Sequence, residues 1–387
     1  MQRKIRVSDK HSLTFLHHLR WLAALEVAAA HIRIFGMFEQ HHNAVTHAFY
    51  FVSGLDHSAV LVFFVLSGFL VGGKTMELYR APNIESEWKT FLADRFSRIF
   101  TVLVPALVLT LFCFVVILHI AGNSPFVSTN HWSWAGFRPG LSHDANLVKW
   151  IGALFLLNGF GTTTLGSNSP LWSLSLEWFY YMAALAAVLA LRRQSTLGAL
   201  CIIFYAMMLL ALCIIFKDYV ALALGVVWVF GLVAKYIFDR RLLQAKPLFF
   251  ACVAITLVLL VLVPFHSIPD QLLGFFIAAV LAHRNWDRVT WGNAWGEKLA
   301  GFSYSLYLTH LPVLLLAMAV CYRLGLGDTT GMLITPAHMG VYLLALAVLI
   351  FFGWLFSLVT EANTRKVRNF ILRPAGASRS EAIYKQV

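Results

Sequence analysis

The sequence predicts an all-α integral membrane protein, a bundle of about ten transmembrane helices with both termini cytoplasmic. Three observations carry that expectation. The 387 residues are 59% hydrophobic and only 12% charged, with a mean hydropathy of +0.74, far outside the range of soluble domains. Apolar runs long enough to cross a hydrocarbon core of ~30 Å recur along the chain. Finally, the basic residues are divided unequally between the loops those runs define.

The runs fall near residues 16 to 36, 48 to 71, 99 to 121, 170 to 191, 197 to 216, 219 to 238, 247 to 264, 268 to 283, 299 to 321 and 336 to 360. A further apolar segment, 147 to 160, is too short to span with security. If it stays on the outer side, all of the 30 Lys and Arg except Arg33, Arg138, Lys149, Lys217 and Arg323 fall on one face. Positive charge marks the cytoplasmic face, which places both termini there. Were 147 to 160 to span, the side of every later loop would reverse and the asymmetry would vanish. Residues 1 to 361 are therefore read as one membrane domain. Residues 122 to 169 form its one sizeable outer loop, rich in Trp, Gly, Ser, Thr and Asn, including Trp132, Trp134, Trp150, Asn158 and Asn168. A loop of that length is more often functional than idle. The basic stretch 362 to 387 is a polar cytoplasmic tail, expected to lack order.

The net charge of +12 is spread over many short loops, which orients a membrane protein and does not make a nucleic-acid stripe. The five cysteines sit mostly inside apolar runs without metal-ligand spacing, and no cleavable signal follows the basic N-terminus. No internal repeat supports an inverted-repeat transporter.

Against this apolar background the polar residues stand out. In Leu19–His31, Arg20 and His31 are eleven residues apart, about 20° past three full turns, and so share a helix face at roughly 16 Å separation. Ala24 and Val27 lie between them, which predicts a small-residue groove. Imidazole suits proton transfer near neutral pH; the plain alternative is a structural hydrogen bond. Arg20 taken alone reads as a snorkelling anchor. Glu26 lies well off the shared face and has no evident role. Arg95 and Arg98 share a helix face at the expected start of the third span, where paired guanidinium forks and a helix N-terminus suit a phosphate. Ordinary positive-inside charge explains them equally well. Glu177, about two turns into the fourth span within Trp172–Tyr181, is an intramembrane carboxylate at the depth of His31. It is expected to orient that imidazole. Ser67-Gly68 marks a close helix approach. Tyr304, Tyr307 and His310 form a polar-aromatic stripe, and Pro312 frees a carbonyl nearby. His17-His18 and His41, His42 and His47 hint only weakly at metal.

Five pieces in order, Arg20 with His31, Phe-Phe-Val-Leu-Ser-Gly-Phe-Leu (63 to 70), Arg-Phe-Ser-Arg-Ile (95 to 99), Trp-Ser-Leu-Ser-x-Glu (172 to 177) and Ser-Tyr-Ser-Leu-Tyr-Leu-x-His-x-Pro (303 to 312), resemble acyltransferase family 3 of integral membrane proteins. The resemblance implies transfer of an acyl group, usually acetyl, from cytoplasmic acyl-CoA to a hydroxyl of a carbohydrate or similar acceptor. It is nearest the stand-alone polysaccharide-acetylating type, in the bacterial inner membrane. It makes His31 the essential histidine, which either deprotonates the acceptor hydroxyl or takes the acyl group itself, with Glu177 beside it as a second catalytic residue. Arg20, Arg95 and Arg98 become donor-binding residues, and Tyr304, His310 and Trp172 candidate substrate contacts. Acyl-CoA is then a co-substrate, with no metal. The chain departs from the family at His17-His18, where Asp-Gly is usual, at Trp178 in place of a second Glu, and after Glu361, which lacks the customary Pro. A proton-coupled transporter of a sugar or acylated metabolite is the alternative, with His31, Glu177 and His310 as its relay.

Overall fold

A computed structural model describes residues 7–36, 44–122, 141–158, 160, 163–217, 219–262, 269–288, 291–326 and 334–373. His41, His42, Trp132, Trp134 and Arg138 lie outside the described residues. The architecture is helical, with no strand among the described residues. We number the helices α1 (Val7–Gly36), α2 (Ala44–Val52), α3 (Asp56–Ser67), α4 (Gly73–Tyr79), α5 (Ile84–Ala121), α6 (Leu147–Leu154), α7 (Leu171–Leu191), α8 (Leu197–Ile215), α9 (Tyr219–Arg240), α10 (Lys246–Leu262), α11 (Asp270–Ala282), α12 (Asn293–Ala300), α13 (Ser303–Arg323), α14 (Pro336–Val359) and α15 (Thr364–Ile371).

Among the described residues each expected span is largely helical, the second broken at 53–55 and the ninth at 301–302, and seven stretches are long and apolar enough to cross a membrane: Thr46–Tyr79, Ile84–Ala121, Leu171–Leu191, Leu197–Ile215, Tyr219–Arg240, Ser303–Arg323 and Pro336–Ile371. The remaining three differ for physical reasons. α10 and α11 have 17 and 13 residues, roughly 25 and 20 Å, shorter than a straight crossing. α1 has 30 residues and ample length, but Arg20, Glu26 and His31 dilute its apolar character. Outward-facing Val108, Phe112, Phe204, Phe250, Leu344 and Phe351 are exposed, as helices bathed in lipid require.

α3 passes into α4 through a π-helical turn at Gly68–Gly72, and here the chain meets α9 backbone to backbone. A methyl group built on Gly68 would lie 1.9 Å from the Trp228 carbonyl oxygen, and one on Gly231 would lie 2.1 Å from that of Val65. The Ser-Gly break is thus the close approach its residues suggested.

Glu26 and Arg33 on α1 pin the turn between α2 and α3. Glu26 accepts a hydrogen bond from Leu55 N–H at 2.9 Å, and Arg33 Nε donates to the Ser53 carbonyl at 3.0 Å. Glu26 therefore has a structural place, satisfying a backbone donor at the start of α3.

Segment 147 to 160 contains only the eight-residue α6, about 12 Å long and too short to cross. Its Leu147, Val148, Ile151 and Leu154 face outward, while Lys149 turns inward to Asp144 at 3.3 Å. Buried Asp144 also accepts from Gly166 N, Ser167 N and Ser167 Oγ at 2.7–2.9 Å, folding the described part of the outer loop on itself. Asn168 fastens that loop to the bundle. Its Nδ2 donates to Thr110 Oγ1 at 2.9 Å and to the Leu308 carbonyl at 3.0 Å, the one that Pro312 deprives of a helical partner.

The expectation of a tail without order is corrected over 364–371. Those residues form α15, packed on α5 with Arg368 paired to Asp94, while Phe370 and Ile371 stay exposed.

Candidate active site

Two cavities flank Tyr307. The first, about 180 Å³, is lined by Arg20 of α1, Ser67 of α3, Arg95 and Arg98 of α5, Glu177 and Tyr181 of α7, and Tyr304 of α13. The second, about 270 Å³, holds His31, Asp56, His57, Thr164 and Trp172. Val60 and Tyr307 line both.

In the first cavity the guanidinium groups converge from two helices. Glu361, just beyond α14, places Oε1 3.0 Å from Arg98 Nη2 and 3.5 Å from Arg20 Nη2. Its Oε2 accepts from Ser305 N–H and Ser305 Oγ at 3.1 and 3.2 Å. Arg98 lies over the Tyr304 ring, and Arg95 over those of Phe91 and Tyr181. Arg95 Nε is buried with no hydrogen-bond acceptor. Three arginines against two carboxylates leave the cavity with surplus positive charge and donors to spare, which suits an anion.

Glu177 accepts from Tyr181 Oη. Ser67 Oγ donates to Tyr181 Oη at 3.4 Å and itself accepts from Trp228 Nε1 at 3.0 Å. The expected pairing of Glu177 with His31 is not made. Similar depth on two helices does not bring two side chains together, and α7 turns Glu177 toward the arginines.

The imidazole that His31 meets belongs to His310, their ring centroids 4.9 Å apart. His31 Nδ1 lies 2.7 Å from the Val27 carbonyl, which can only accept, so Nδ1 carries the proton and Nε2 the lone pair. His310 Nδ1 likewise donates to the Tyr307 carbonyl at 2.8 Å. Its Nε2 faces His31 Nδ1 at 3.4 Å and accepts the weaker branch of the same N–H.

Two further expectations are corrected. Arg95 and Arg98 are not at a helix N-terminus. α5 begins at Ile84, capped by Asn83, so the pair lies about three turns inside, beyond reach of the dipole. The polar but amphipathic stretch 84 to 98 extends the helix upstream of the apolar run. The groove between Arg20 and His31 is closed at Ala24, which is fully buried in one core cluster with Phe302 and Leu306 where α1 packs on α13, while Val27 lines the His31 cavity. Small residues here let α1 and α13 close together.

The comparisons with known proteins join this geometry to a family. The acyltransferase-domain model of acyltransferase family 3 matches residues 13–362. The chain belongs to acyltransferase family 3. The acyltransferase MdmB of Streptomyces mycarofaciens is 30% identical over 173 residues, 44% of this chain and 38% of that protein, so the likeness spans well under half of the relative. No solved structure matches.

Within this family 3 chain, the structure brings Arg20, Arg95, Arg98, Glu177 and Tyr304 to one cavity and His31 to the other, with His310 against it and Trp172 on its wall. Sequence reasoning missed Glu361 as the residue that gathers the arginines, and Tyr181 and Ser173 as site residues. An acidic residue closing the last apolar run was the available signal for Glu361. His17-His18 has a packing explanation at its second member. His18 Nε2 donates to the Trp291 carbonyl at 3.0 Å, its Nδ1 accepts from Trp21 Nε1, and its ring fills the space beside Gly292 and Gly296. Among the described residues, no group of three or more His, Cys, Asp and Glu is placed to hold a metal ion.

Proposed function

We propose that this chain transfers an acyl group, acetyl in the first instance, from cytoplasmic acyl-CoA to a hydroxyl of a polysaccharide or similar acceptor at the bacterial cytoplasmic membrane. The observation that carries the reading is the placing of opposite chemistries on one helix. α1 contributes Arg20 to a cationic cavity and, roughly 16 Å along its axis, His31 to a second cavity. In this reading ten helices cross the membrane, residues 1 to 361 form one domain and both termini are cytoplasmic.

The phosphates of the donor bind Arg95, Arg98 and Arg20, competing with Glu361 for the last two. Glu177, held by Tyr181, shapes the same cavity and limits its charge. His31 Nε2 takes the proton of the acceptor hydroxyl as its oxygen attacks the thioester carbon. The carbon–sulfur bond breaks and CoA leaves as the thiol. The Val27 carbonyl keeps His31 in the required tautomer, His310 accepts the weaker branch of the same N–H, and Trp172 offers the acceptor an aromatic wall.

His31→Ala is expected to abolish acylation of envelope glycans, read by mass spectrometry of cells carrying the correctly inserted variant. Near-normal acylation would overturn the reading. Arg95→Ala combined with Arg98→Ala is expected to weaken CoA binding to the purified protein by about tenfold or more, the loss of charged hydrogen-bond donors, with Glu177→Gln sparing it.

A further inference from the structure

Tyr307 stands between the two cavities and belongs to the wall of each. Its ring packs edge-on against Phe63 at 5.5 Å. Its hydroxyl is 2.6 Å from Ser173 Oγ and 3.3 Å from the Pro170 carbonyl, which also accepts from Ser173 Oγ at 3.1 Å. Two hydroxyl protons are thus consumed within one small ring of oxygens. We propose that the Tyr307–Ser173 pair is a gate between the donor cavity and the His31 cavity, closed in this structure. The inference rests on the acyl-transfer reading and adds a positioning residue to it.

The gate is built to open at little cost. When Tyr307 rotates away, Ser173 Oγ keeps the Pro170 carbonyl, so no buried polar group on α7 loses its partner. The motion is confined to the side chain. Tyr307's own carbonyl holds His310 Nδ1 at 2.8 Å, and His310 adjoins His31, so the backbone stays where the imidazole pair needs it. The packing of α1 on α13 around the buried Ala24 closes the direct route along α1, leaving the Tyr307 side chain as the movable partition. Its chemical use is to keep water in the His31 cavity away from the thioester until the acceptor is present. If the gate fails, water attacks the thioester carbon and the carbon–sulfur bond breaks. CoA then leaves as the thiol with one proton, and the free acid releases the other.

The test uses the purified full-length protein in lipid nanodiscs with acetyl-CoA and no acceptor, following free CoA. Tyr307→Phe and Ser173→Ala are each expected to raise the release rate about fivefold, the shift in open population that one lost hydrogen bond produces, with the KM for acetyl-CoA unchanged. The double variant is expected to exceed neither single one, because both cut the same latch. Release at or below the wild-type rate in both folded single variants would overturn the gate, as would full additivity in the double. Adding His31→Ala to Tyr307→Phe separates the two readings. Fast release that survives the loss of His31 supports the gate whatever His31 does, and acceptor acylation by the His31→Ala single variant decides its role as the base.

Discussion

At Glu361 a single carboxylate serves two ends of the molecule. One oxygen faces Arg20 and Arg98, and the other takes the N–H and hydroxyl of Ser305, in the first turn of α13. That N–H is one of the donors a helix start leaves without an internal partner, and a negative charge there also meets the positive end of the helix dipole. Replacing the charge while keeping the shape isolates its worth. Glu361→Gln is expected to lower stability by about 1–3 kcal/mol, the cost of leaving charged donors with a neutral acceptor. The discount for solvent is modest on the Glu361 side, whose side chain is 4% exposed, and larger on the arginines at 31%. Thermal unfolding in detergent measures it, and an unchanged midpoint would mean that the Glu361 charge adds nothing beyond a neutral acceptor of the same shape. His31 and His310 make the complementary point. Neither needs a carboxylate to fix its proton, because a carbonyl one helical turn back does so for each.

At the scale of elements, the crossing of α3 and α9 depends on two glycines whose neighbours are backbone atoms and cannot move aside. Gly231→Ala forces a methyl toward the Val65 carbonyl, so it is expected to destabilise by at least about 1–3 kcal/mol and to lower the yield of folded protein. Gly340→Ala, where nothing lies within 4 Å, is the control. Size-exclusion profiles and melting curves read both. The Ser-Gly break was legible because close approach has a small-residue signature. The helical spans were legible from apolar length, as was the carbonyl freed by Pro312. The partner of that carbonyl was not. Asn168 reaches Leu308 across the bundle, a contact that depends on how the outer loop folds around Asp144. Glu177 fails for the same reason: depth along a helix is readable from sequence, whereas rotation toward Tyr181 instead of His31 is settled by packing. Helix α5 began earlier than its apolar run because periodicity, not hydropathy, continues through residues 84 to 98.

For the whole molecule, the proposed function depends on which cavity faces which side, and the charge distribution is what supports the proposed orientation. Of the 30 Lys and Arg, only Arg33, Arg138, Lys149, Lys217 and Arg323 fall outside the loops assigned to the cytoplasm, and such a bias orients membrane proteins. In the proposed orientation Arg20, Arg95 and Arg98 lie toward the cytoplasm, the side of the proposed donor, and His31 toward the outside. α6 is central to the argument. Were residues 147 to 160 a crossing, every later loop would change sides, but eight helical residues cover only about 12 Å. Single cysteines test this, introduced after Cys201 and Cys321, which are not fully buried, are changed to serine. Thr163→Cys, on the outer loop, is expected to react with a membrane-impermeant maleimide in intact spheroplasts. Leu242→Cys, in the loop after α9 and 61% exposed, is expected to react only after the membrane is opened. The reverse pattern would put the arginine cavity on the side away from the donor. Labelling of both from the same side would mean that the number of crossings between them is even, and the ten-helix topology would have to be given up.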